Sequence, residues 1–127
     1  MQSNHFLLIF RQTHPFYLDP DTLWLNHNSD KPTDPNYSIL DRIDNTYKGA
    51  DGKFLFKLRW PGLEGGKENI WKQSSNPVTK IESGSTGYEN VACDYTGYNW
   101  AGLEKNIGYE SLLDGSVGVW DWNYAVG

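Results

Sequence analysis

The chain is 127 residues long and acidic, with a net charge of −5 and a sequence pI of about 5.0. That length suits one domain, residues 1–127, with a core of its own. The eleven Lys and Arg residues are scattered, which argues against a nucleic-acid backbone track, and the apolar run Phe6–Phe10 is far shorter than the ~20 residues of a membrane helix.

In chain order, His5-Phe-Leu-Leu-Ile-Phe-Arg11 is a continuous apolar run ended by Thr13-His-Pro15, and it reads as a central strand. From Phe16 to Asn36 the chain is polar, and Pro20, Pro32 and Pro35 break any regular pattern, so a loop is expected. A helix is predicted over about residues 35–48. Asp34 would cap it, Pro35 would stand at its first position and Gly49 beyond its end, and Ile39, Leu40, Ile43 and Tyr47 would form its apolar face. Asp51-Gly52 then turns the chain into the clearest strand, Lys53–Trp60, where Phe54, Phe56, Leu58 and Trp60 alternate with polar residues.

Pro61-Gly62 ends that strand, and Asn69–Ser74 reads as a short one that stops at Asn76-Pro77. Beyond it, glycines from Gly84 to Gly118 recur every few residues and leave room only for short strands around Tyr88–Cys93, Trp100–Leu103 and Trp120–Val126. The expected fold is α+β: mostly short antiparallel strands with one main helix, about residues 35–48, packed on the sheet. The ending Tyr124-Ala-Val-Gly127 reads as a strand without a tail, which suggests truncation at the C-terminus.

Covalent chemistry has little support. The histidines His5, His14 and His27 lie near the N-terminus, Cys93 sits in an apolar context, and no nucleophile elbow, zinc spacing or phosphate loop is present. Cys93 alone excludes an internal disulfide, leaves open a bond to a second chain in an oxidising compartment, and reads as a small core residue. The run at Phe6–Phe10 lacks the basic flank and cleavage site of a signal peptide, and an extracellular setting is slightly favoured over others.

Tryptophans bordering polar clusters are more informative, because a flat apolar ring beside amides and carboxylates is how proteins hold sugars. Six Trp residues occur, among them Trp71-Lys-Gln-Ser-Ser-Asn76 and Trp120-Asp-Trp-Asn123. Trp60 belongs to the core by its strand phase, and Trp24 and Trp71 are ambiguous. Trp100, Trp120 and Trp122, with Tyr98 and Asn123, are the candidate ligand contacts. Oxygen donors for a hard cation such as calcium come from Glu89, Glu104, Asp114 and Asp121, or alternatively from Asp19, Asp21, Asp30 and Asp34 in the first loop. Such a cation could bridge vicinal hydroxyls while a ring packs on the sugar. Glu104 with Asp114 or Glu89 could instead form the carboxylate pair of a glycoside hydrolase.

Phe10-Arg-Gln-Thr13, Asn36–Leu40, Gly52-Lys-Phe54 through Gly62, Trp71–Pro77, Gly87-Tyr-Glu89, Gly102-Leu-Glu104, Leu112–Ser116 and Tyr124–Gly127 together span nearly the whole chain. In these the chain resembles a Trp- and Gly-rich domain of marine invertebrate and protist proteins, which implies a module rather than an activity. More distantly, the late cluster of Trp, Asp and Asn is similar in style to calcium-dependent lectins of the C-type-lectin-like and fibrinogen-related kinds. The paired cysteines usual in both are missing. The expected function is therefore non-catalytic carbohydrate or glycoconjugate binding with calcium as the implied ion. The alternative is an assembly subunit whose aromatics meet other protein subunits.

Overall fold

The computed structural model describes residues 6–13, 25–60, 66–80, 82, 84–94, 100–105, 113–116 and 125–126, with backbone alone at 60, 105, 113–116 and 125–126. Its elements are β1 (Phe10–Arg11), β2 (Tyr37–Ser38), 3-10 turns at Leu40–Arg42 and Asn45–Tyr47, β3 (Phe54–Trp60), β4 (Lys67–Gln73), β5 (Glu89–Cys93), β6 (Trp100–Lys105), β7 (Leu113–Ser116) and β8 (Ala125–Val126). They form three antiparallel sheets, β1-β2, β3-β4-β5 and β6-β7-β8.

The architecture is β-rich, and the helix expected over 35–48 does not form. Residues 37–38 are extended instead, because Arg11 and Phe10 pair with Tyr37 and Ser38, and His27 exchanges two backbone hydrogen bonds of 2.9 Å with Ser38. Asp34 Oδ1 accepts from Asn36 N at 2.9 Å, which turns the chain rather than starting a helix. The Pro35 carbonyl is held by Thr13 Oγ1 at 2.7 Å. Extended backbone at Ile43 (ψ 123°), Asp44 (ψ −178°) and Lys48 (ψ 145°) then divides the rest into two single 3-10 turns. The second is capped by Asp44, whose carboxylate accepts from Thr46 N at 2.9 Å, the local side-chain bond by which Asp competes with helix.

The first apolar run is corrected too: only Phe10–Arg11 is strand, in a two-stranded ladder, so it is not a central strand. Arg11 serves as an anchor for the next loop, donating to the carbonyls of Pro32 at 2.8 Å and Asp34 at 3.1 Å.

The alternation in β3 does what it implies. Phe54 is buried, and Phe56 and Leu58 pack on the same core, while Leu55, Lys57 and Arg59 face solvent. The core comprises Leu40, Ile43, Phe54, Trp71, Trp100 and Leu103. Its rings run in sequence across the sheets, with centroids 5.4 Å apart for Phe54–Phe56, 5.6 Å for Phe56–Trp71 and 4.9 Å for an edge-to-face Trp71–Trp100 pair. That last contact fastens β6 to β4. Trp71 is thereby a core residue at 1 % exposure, whereas Trp24 and the Trp60 side chain lie outside the described residues.

The outer face of the middle sheet is laced by ion pairs: Lys53 to Glu89 at 3.3 Å, Arg59 to Glu68 at 3.5 Å and Lys72 to Asp51 at 2.9 Å. The Lys72 hydrogen bond, followed by that from Lys53 N, holds the Asp51 carboxyl below its ordinary 3.8. A carboxyl depressed in the folded state contributes stability that is present above the unfolded value and lost as pH falls through the folded one. Asp51→Asn should therefore flatten the decline in urea-unfolding stability below pH 3.8. An unchanged acid limb in that variant would rule the pair out as a contributor.

Candidate functional site

Strand β4 places Asn69, Trp71 and Gln73 on one face by its period of two, and all three are buried, with Asn69 and Gln73 at 0 % exposure. Two fully buried amides beside a buried Trp must be hydrogen-bonded to be tolerated. Gln73 answers this by joining three segments. Its Oε1 accepts from Trp71 Nε1 at 2.7 Å and from Leu103 N at 2.9 Å. Its Nε2 donates to Ser75 O at 2.9 Å, to Ser75 Oγ at 3.2 Å and to Leu103 O at 3.0 Å. The amide thus binds the same residue of β6 through both of that residue's backbone groups, as a strand neighbour would.

Around this node the chain from 74 to 86 makes a loop whose two ends meet, in the manner of an Ω-loop. Ser74 N donates to Thr86 O at 2.8 Å, the Ser74 and Thr86 hydroxyls lie 2.8 Å apart, and Thr86 N donates to Ser75 Oγ at 2.9 Å. Inside the loop, Asn76 Nδ2 reaches Ile43 O at 3.0 Å, and Lys80 Nζ donates to the carbonyls of Glu82 at 2.9 Å and Gly84 at 3.0 Å. The far side docks on β6, where Glu104 Oε2 accepts from Gly84 N at 2.7 Å and Ser85 Oγ donates to Ala101 O.

The residues expected to bind a ligand or ion are placed as follows. Trp100 is 7 % exposed and stands edge-on against Trp71, so its ring is part of the core. Glu104 is half-buried and committed to the Gly84 amide, and Glu89 is an exposed β5 residue paired with Lys53. Asp114 lies on β7 as the Cα partner of Glu104, its side chain outside the described residues. In the first loop, Asp30 is exposed and Asp34 is occupied by the Asn36 amide. Tyr98, Trp120, Asp121, Trp122, Asn123, Asp19 and Asp21 lie outside the described residues. Among the described residues no three of His, Cys, Asp and Glu come together as a metal set.

The thiol and phenol near the site are also engaged. Cys93 Sγ donates to Ile70 O at 3.4 Å and lies 3.9 Å from the Tyr88 hydroxyl. Burial, then the hydrogen bond and charge of Cys93, push the Tyr88 phenol up to about 12, while a hydrogen bond with Trp100 pulls the other way.

The buried amides Asn69 and Gln73 and the hydroxyl of Ser75 are what reading by composition missed. A signal was present: once Trp71 is inward, Asn69 and Gln73 are inward by phase. Within the polar run after Trp71, Gln73 and Ser75 thus belong to an internal network, whereas Lys72 faces outward to Asp51. No family model, curated protein or solved structure matches the chain.

Proposed function

We propose that the protein is a non-catalytic carbohydrate-binding module, with its ligand held at the end of the third sheet where β6 begins and β7 ends. The register of that sheet is the observation that supports this. Trp100 and Ser116 are Cα partners, and in the sequence they stand two residues after Tyr98 and four before Trp120. The same register makes Glu104 and Asp114 Cα partners, and calcium is the candidate ion. The commitment of Glu104 to the Gly84 amide speaks against its use as the acid of a glycoside hydrolase.

Calorimetric titration with simple sugars should give heat in calcium that is reduced by a chelator. Trp120→Ala and Trp122→Ala should each weaken binding roughly tenfold, or about 1.4 kcal/mol. Absence of heat across a glycan panel, with the protein shown folded, would overturn the proposal.

Assembly with other protein subunits is the rival, and one feature favours it. β5 is an edge strand of the middle sheet with Val91 at 50 % exposure, and Leu55 on the opposite edge strand is 43 % exposed. Native mass spectrometry tests the self-associating form of this rival: a monomer across the concentration range would count against it, and a defined oligomer with no sugar binding would favour it over the module.

A further inference from the structure

The turn that opens β3 contains a chemically reactive dipeptide in a restrained state. Asp51 and Gly52 are both exposed, Gly52 has φ 76°, and the space where a Cβ would stand on Gly52 is open to 4 Å. Asp51 Oδ1 accepts from Lys53 N at 3.1 Å, an Asx turn that folds the side chain back over the following peptide. Its other oxygen is held by Lys72 Nζ at 2.9 Å, and Gly52 N is engaged by Gly49 O at 3.0 Å.

We infer that Asp51-Gly52 is a site of spontaneous aspartate isomerisation whose rate is set by Lys72. The nitrogen of Gly52 attacks Cγ of Asp51, a C–N bond forms, and the carboxyl oxygen departs as water, which carries off the amide proton. Water then adds to one of the two carbonyls of the resulting five-membered imide. Opening at Cγ restores aspartate, and opening at the main-chain carbonyl leaves isoaspartate. Mass is unchanged over the two steps, and no oxidant or cofactor is involved.

Glycine is the residue that hinders this attack least, because it has no side chain beside the nucleophile. Lys72 restrains it by keeping the carboxyl ionised, since the anion is a poor electrophile, and by fixing its orientation. Isoaspartate would lengthen the main chain by one carbon and move the carboxylate away from Lys53 N and Lys72 Nζ, which now hold it. The hairpin face of β3 and β4 would then lose the pair that ties it to the turn.

The full chain should be incubated at neutral pH and 37 °C, and isoaspartate at position 51 followed by proteolytic peptide mapping. Lys72→Met should accumulate it about two- to fivefold faster than the parent, the scale of an exposed ion pair. Lys72→Arg, which keeps the pair, should match the parent. The advantage of Lys72→Met should fade at acid pH, where the carboxyl is protonated in both proteins. Circular dichroism distinguishes a change in chemistry from unfolding. Equal rates in the parent and Lys72→Met, or isoaspartate absent at residue 51 in both, would overturn the inference.

Discussion

Gln73→Leu is expected to cost the fold about 3–5 kcal/mol, a large share of the ~5–15 kcal/mol that holds a domain of this size. The volume change is small, so the loss comes from polar groups. Leucine leaves Trp71 Nε1 and Leu103 N without the acceptor they share, and it removes the donors that satisfy Ser75 O and Leu103 O. Each buried group so orphaned costs about 1–3 kcal/mol, although local relaxation keeps the sum below full additivity. Urea unfolding at neutral pH measures this as a lower midpoint with little change in slope.

Gln73→Glu should be no milder than leucine. It keeps an acceptor for Trp71 and Leu103 N but sets a carboxylate against the carbonyl oxygens of Ser75 and Leu103 in a fully buried place. If both variants unfolded within about 1 kcal/mol of the parent, the amide would be a passenger rather than the joint between β4, the 74–86 loop and β6.

The same node explains which parts of the fold the sequence disclosed. Alternation is a strong signal where one face is buried, and Phe54, Phe56 and Leu58 obey it, as do Asn69, Trp71 and Gln73 once polarity is set aside. The segment from 35 to 48 carries helical spacing at Ile39, Leu40, Ile43 and Tyr47, yet the first three are buried in or beside the first 3-10 turn while Tyr47, in the second, is 48 % exposed. What prevailed there was long-range pairing with β1 together with the side-chain bonds of Asp34 and Asp44. Neither can be seen in a local window.

For the candidate site, Trp100 shows why neighbouring acids mislead. The carboxylate of Glu104, four residues on, serves the Gly84 amide while the indole packs into the core, so nearness in sequence did not mean a shared surface. Only contacts between β6 and the loop after β4 distinguish the two, and these are separated by 20 residues in the chain.

Gly102→Ala is the second substitution expected to act strongly, at about 2–5 kcal/mol. Gly102 has φ 87°, in the region where an L-residue costs ~1–2 kcal/mol, and it sits on β6 between Ala101 and Leu103, in a strand where glycine would otherwise be a weakness. Space supplies the larger share of the penalty. A Cβ there would stand 2.6 Å from Gln73 Oε1, 3.2 Å from Trp71 Nε1 and 3.3 Å from Ser85 Oγ. Gln73 cannot swing aside, because its oxygen and nitrogen are already spread over Trp71, Ser75 and Leu103.

Close approach of β6 to the amide therefore requires the missing side chain, and the two residues should be energetically coupled. In a Gln73→Ala background the clash at Oε1 is gone, so Gly102→Ala should cost only its backbone share of ~1–2 kcal/mol, leaving a coupling of about 1–3 kcal/mol in the double-mutant cycle. Strict additivity of the two substitutions in urea unfolding would mean that Gly102 is there for its backbone conformation alone.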